Sequence, residues 1–189
     1  FLEKIRGAGK LDAALRENGI RGCSGFFHRL RKGECMIYTL ENDSLKVQVN
    51  SHGGELWSIQ TKDGAEYLWQ GDETYWKDRA LNLFPYIARL TEGKYTLDGK
   101  TYEMPIHGFV NSSDLEAEEH TAQRLVLKLT DSENTREMYP FEFVYWLTYE
   151  LVGNKLNVTF AVENNDKKVM YFASAVIRLA VRSKDDAFE

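Results

Sequence analysis

Apolar and polar residues alternate along most of the chain beyond Met36, and alternation with a period of two is the mark of half-buried β-strands. Residues 36–40 and 45–50 read as a strand pair across Glu41-Asn42-Asp43-Ser44. Residues 55–61 read as a third strand after the turn Ser51-His52-Gly53-Gly54. Lys62-Asp63-Gly64 turns the chain into a short strand at 66–69. Residues 122–129 alternate again. Residues 141–151 and 155–163 form the clearest hairpin, turning at Gly153-Asn154, and 169–176 is predicted as a last apolar strand after Asn165-Asp166-Lys167-Lys168. Strands with turn signals every few residues predict an all-β antiparallel sandwich. The first 35 residues differ. Leu2, Ile5, Leu11, Ala14 and Leu15 recur at roughly helical spacing, so a helix is predicted over 2–18, ended by Gly19. Residues 20–35 are basic with no clear period, and His28 there has no acidic or thiolate neighbours to give it a role.

Residues 82–109, NLFPYIARLTEGKYTLDGKTYEMPIHGF, carry the densest set of signals. Residues 82–90 read as a short apolar strand with Arg89 at its end. Residues 94–97 and 100–103 flank Asp98-Gly99, a strong hairpin signal because a type I′ turn needs positive φ at both central residues. Pro105 has no N–H to give a ladder and stops the strand. His107-Gly108 follows. A hairpin between Arg89 and His107 can fold back and bring them together, pairing a fixed cation with a group that donates or accepts a proton near neutral pH.

The same stretch resembles the aldose 1-epimerase (galactose mutarotase-like) family. The pattern is Phe84-Pro85-Tyr86-Ile87-Ala88-Arg89-Leu90, then Gly99-Lys100-Thr101-Tyr102-Glu103-Met104-Pro105-Ile106-His107-Gly108-Phe109. Gly53-Gly54-Glu55-Leu56 and Glu66-Tyr67-Leu68-Trp69-Gln70-Gly71 upstream resemble it too. Ala88 stands where the family usually has glycine, and Val110-Asn111 where it usually has Ala-Arg. The resemblance implies a mutarotase-like β-sandwich (supersandwich), incomplete at its C-terminus, that interconverts the α and β anomers of a hexose by acid/base ring opening without a cofactor. It implies that Arg89 binds substrate and that His107 is both a substrate-binding and a catalytic residue, polarising the ring oxygen. It places the catalytic acid, a Gly-His-Pro histidine, and the base, a glutamate, farther along than this sequence reaches, so the chain alone is expected to be inactive. Two other readings stand beside this one: a hexose-6-phosphate 1-epimerase relative, mildly disfavoured by Asn111, and a non-catalytic carbohydrate-binding β-sandwich.

Composition narrows the field. The 189 residues allow one domain with a sizeable core. Aromatic residues make up 13%, which suits an aromatic β-core first and sugar stacking second. A net charge of −5 argues against a nucleic-acid partner. No stretch has the length of a membrane-spanning helix, and no membrane partner is expected. With two cysteines, Cys23 and Cys35, no disulfide framework is expected, and a reducing cytoplasm is the expected compartment. No HExxH or Cys/His spacing marks a metal set, and no Gly-rich phosphate loop is present. His52 is expected to be a turn residue. Tyr75 and Trp76, in the charged loop 72–78, fit either sugar stacking or an edge plug. Glu116, Glu118 and Glu119 fit a solvated strand face.

Three segments are therefore expected: an extension at 1–35, a partial sandwich at 36–176 and an atypical tail at 177–189. Lys32-Gly33-Glu34-Cys35-Met36 can be encoded by AAA GGA GAA TGC ATG, which holds a ribosome-binding string ahead of a start codon. Residues 1–35 are thus expected to be translated upstream sequence. Ala175-Val176-Ile177-Arg178-Leu179 can be encoded so that the third frame reads Gly-His-Pro-Ala, which points to a frameshift at about 173–175. The nucleotide sequence decides both: other codons at 32–34, or no open frame running on from Gly-His-Pro, would remove them.

Overall fold

The computed structural model describes residues 35–177. The helix expected over 2–18 and most of the tail at 177–189 lie outside the described residues. The first sheet is β1 (Ile37–Glu41), β2 (Leu45–Asn50) and β3 (Leu56–Thr61), antiparallel in chain order. The turn between β1 and β2 is held by Asn42, whose Oδ1 accepts from the backbone N–H groups of Ser44 and Leu45, both at 2.9 Å. The second sheet is β7 (Glu116–His120), β8 (Arg124–Thr130), β9 (Phe143–Val152) and β10 (Lys155–Asn164), in the order β10-β9-β8-β7. The all-β antiparallel sandwich read from the alternation is the fold found.

The reason is visible strand by strand. In β9, Phe143, Tyr145, Leu147, Tyr149 and Leu151 are buried at every second position. In β2 the buried positions are Leu45, Val47 and Val49, and in β8 Leu125 and Leu127. These residues, with Leu40 and Leu56, form one core cluster. The acidic run on β7 is a solvated, paired face, as expected. Glu118 accepts from Lys128 Nζ at 2.7 Å and from the Trp146 indole at 2.9 Å, and Glu119 pairs with Arg124 at 3.1 Å.

Three strand expectations are corrected. Residues 82–90 are strand only at β4 (Asn82–Leu83), because Pro85 has no N–H to give a ladder and Ala88 has φ +66°. Residues 66–69 make isolated bridges in place of a strand: Glu66 pairs with Gln60, and Tyr67 N–H donates to Ile59 O at 2.9 Å. Residues 169–176 are strand only at β11 (Ala175–Val176), which pairs with β4. There the chain crosses another segment instead of extending a ladder: Ala173 N–H donates to Pro85 O at 2.8 Å, and Tyr171 O accepts from Tyr139 OH at 2.8 Å. One short helix, α1 (Glu133–Met138), had no counterpart in the periodicity. Ser132 caps it: its Oγ accepts from Thr135 N–H while Thr135 Oγ1 accepts from Ser132 N–H.

Candidate functional site

The segment that carries Arg89 starts from a buried post. Asn82 is wholly buried, and its Nδ2 donates to the carbonyls of Gly53 and Gly54 at 2.9 and 2.8 Å. Just before it, Glu55 Oε1 accepts from the backbone N–H groups of Arg79 and Ala80. The strand entering the site is thereby fixed to the Gly53-Gly54 turn.

From Asn82 the chain meets the His107 segment twice. Phe84 bridges Gly108, and Phe84 O accepts from Phe109 N–H at 2.9 Å. Gly108 has φ +78°, and a Cβ there would run into the Phe84 carbonyl, so no other residue fits this approach. Farther on, His107 N–H donates to Ala88 O at 3.0 Å, and Ala88 N–H donates to His107 Nδ1, also at 3.0 Å. Arg89 follows Ala88 directly. The two residues expected to share a site are therefore held on adjoining backbone, joined through Ala88.

Between the two contacts lies the expected hairpin. β5 (Lys94–Leu97) pairs with β6 (Lys100–Glu103), with Leu97 opposite Lys100. Asp98 and Gly99 both take positive φ, +50° and +77°, as a type I′ turn requires. Tyr95 OH donates to Met138 O at 2.8 Å and ties the hairpin to the end of α1. Beneath the site is an aromatic bed. The Phe84 ring lies 5.0–6.0 Å from those of Phe109, Tyr139, Phe143, Tyr145 and Phe172. Burial raises the phenol pKa of Tyr95, Tyr139 and Tyr145 and keeps these groups neutral; neighbouring phenols add to the effect on Tyr95 and Tyr139.

The hydrogen bond from Ala88 settles the state of His107. A backbone N–H can only donate, so Nδ1 must present its lone pair. In the neutral ring the proton then sits on Nε2. His107 offers the outside a donor, not a base. Arg89 is exposed, and no carboxylate pairs with it among the described residues. Ile87 and Ile106, the neighbours of Ala88 and His107, are exposed, as is Phe172 over Phe84. This stretch therefore exposes the Arg89 side chain and the apolar side chains of Ile87 and Ile106 next to the Ala88–His107 contact. Two hollows of about 610 and 440 Å³ lie elsewhere. One is lined by Asn42, Glu119, Arg124 and Glu150 among others, the second by Glu92, Glu103, Pro105 and Met138 among others.

The remaining candidates fall as follows. His52, expected as a turn residue, instead stands just before the Gly53-Gly54 turn in an isolated bridge with Asp114, and its Nδ1 meets Asp114 Oδ1 at 2.7 Å. Tyr75 is 81% exposed and so does not plug the core, whereas Trp76 is half-buried and its carbonyl accepts from the Trp69 indole. Asn82 was not recognisable as a functional support, since one polar residue opening an apolar run carries no distinct signal. The role of position 88 was signalled only by the family's usual glycine there: φ +66° is a glycine conformation, and this chain holds it with alanine.

Comparison with known proteins gives one consistent answer. Residues 36–176 match the family described as Aldose 1-epimerase. The plasmid-encoded protein LacX of Lactococcus lactis subsp. lactis is 32% identical over 152 residues, covering 74% of this chain and 49% of LacX. The chromosomal LacX is 31% identical over 147 residues. Among solved structures, the galactose mutarotase related enzyme of Lactobacillus acidophilus is 35% identical with a TM-score of 0.78, over 82% of this chain and 52% of that one. A galactose mutarotase-like protein of Lactobacillus casei ATCC 334 is 34% identical with a TM-score of 0.73, over 75% and 48%. The chain spans about half the length of the curated relatives it matches.

Proposed function

Since this chain belongs to the aldose 1-epimerase family, we propose that Arg89 and His107 hold a hexose for anomer interconversion. The observation that carries this reading is the paired contact between Ala88 and His107, which sets the guanidinium-bearing residue beside an imidazole of fixed tautomer. Mutarotation needs a base for the proton of the anomeric hydroxyl and an acid for the ring oxygen. His107, presenting Nε2–H, donates to a ring or hydroxyl oxygen and draws electron density from it. Arg89 adds a permanent charge with donors in fixed directions. Ile87, Ile106 and Phe172 suit the C–H face of a pyranose ring.

Saturable hexose binding that depends on Arg89 and His107 is the expected behaviour of this polypeptide. An NMR titration with galactose and glucose, run beside a polarimetric assay, tests it. Arg89→Ala and His107→Ala should each weaken binding by about tenfold, about 1.4 kcal/mol, the loss of one charge-assisted or site hydrogen bond. Binding that neither substitution changes would overturn the assignment.

A further inference from the structure

No ligand spacing for a metal appears in the sequence, yet the fold assembles a donor set from three separate segments. Cys35, His52 and Asp114 each offer one ligand atom, and the three atoms lie within 4.8 Å of one another. We propose that Cys35, His52 and Asp114 form a binding site for a thiophilic divalent cation of the Zn2+ class.

The placement is enforced by backbone contacts beside each residue. Next to Cys35, Met36 N–H donates to Ser51 Oγ at 2.9 Å and Met36 O accepts from Ser51 N–H at 2.8 Å. Beside His52, Gly53 N–H donates to Ser113 O at 2.7 Å; His52's own N–H donates to Asn50 Oδ1 at 3.0 Å. Beside Asp114, Leu115 N–H donates to Ser51 O at 3.0 Å, and His52 and Asp114 themselves bridge. The three backbones are thus locked to one another through Ser51 and Gly53. Bringing the donors together needs only side-chain rotation, so little ordering entropy opposes binding.

The chemistry of the donors selects the ion. A thiolate, an imidazole and a carboxylate match Zn2+ and its neighbours, whereas Mg2+ and Ca2+ take oxygen ligands. Cys35 and Asp114 are exposed and His52 half-buried, so the ion is reachable and keeps an open position for water. The cation would replace the His52–Asp114 hydrogen bond and staple the start of β1 to the two loops.

The test uses the full chain, freed of metal with a chelator, and Co2+ alone as the probe. One equivalent should bind with a thiolate-to-cobalt charge-transfer band, and Zn2+ should displace it and raise the melting temperature. Cys23→Ser should leave the band in place and Cys35→Ser should abolish it. His52→Gln and Asp114→Asn should each weaken binding by at least about tenfold. All three residues lie at the surface, and far-UV circular dichroism checks that each variant folds. A band that survives Cys35→Ser, or that disappears with Cys23→Ser, would overturn the proposal. So would equal Co2+ affinity in the parent, His52→Gln and Asp114→Asn.

Discussion

The β9–β10 hairpin and the junction at 84–108 are built on opposite terms. β9 and β10 keep ten consecutive residue pairs in unbroken register, from Val152 with Lys155 to Phe143 with Asn164. The junction is irregular backbone closed at two points, Phe84 with Gly108 and Ala88 with His107. Among the described residues, every non-glycine residue with positive φ falls inside it: Ala88, Glu92, Asp98 and His107. Side-chain burial specifies the hairpin. Backbone conformation and close approach specify the junction, which is where the candidate site sits. Strain gathered where charged and titratable side chains meet is a pattern of functional sites.

Four measurements sharpen or break that contrast. Gly108→Ala should have the largest effect, destabilising by roughly 4 kcal/mol, since it adds left-handed strain to a clash with the Phe84 carbonyl. A chemical-denaturation midpoint close to that of the parent would show the junction can yield. Leu147→Ala opens the core of β9 and should take away about 3 kcal/mol while leaving hexose affinity unchanged. Altered affinity would mean the two regions are coupled.

Alkaline pH probes the aromatic bed that both regions share. Tyr95, Tyr139 and Tyr145 have folded phenol pKa values raised above the unfolded value of about 10. Above that pH the unfolded chain loses protons that the folded chain keeps, so the unfolded state binds fewer. Stability should then fall by up to about 1.4 kcal/mol per pH unit for each of Tyr139 and Tyr145, and by less for Tyr95, whose half-buried phenol is screened by solvent. Phenolate absorbance from these tyrosines should rise together with loss of the β-sheet circular dichroism signal. Ionisation in a chain that is still folded would contradict the burial. Ala88→Gly should be the smallest change, and it should stabilise. Relief of left-handed strain, about 1–2 kcal/mol, outweighs the extra freedom of glycine in the unfolded chain, about 0.5–1 kcal/mol. A lower melting temperature would show that Ala88 sits there without strain.

The parts legible in the sequence are those governed by short-range rules. Asp98-Gly99 announced its hairpin because few dipeptides tolerate two positive φ values in a row. Leu45–Asn50, Phe143–Val152 and Lys155–Asn164 announced themselves through alternation. Residues 82–90 and 169–176 did not, because an apolar run looks alike whether it joins a ladder or crosses beneath another segment. Helix α1 was hidden because Ser132 and Thr135 form a capping pair without the usual glutamate or glutamine at the third position.

For the candidate site, the sequence by itself proposed the two chemical groups, Arg89 and His107, and determined a hairpin between them. Only the tertiary structure decided that Ala88 carries the contact, that His107 presents Nε2–H, and that Cys35, His52 and Asp114 converge. Those three outcomes depend on which backbone N–H faces which acceptor across 15 to 62 positions of chain. Hydrogen bonds at that range follow from how the sheets and turns pack, and nothing in the local order of residues encodes them.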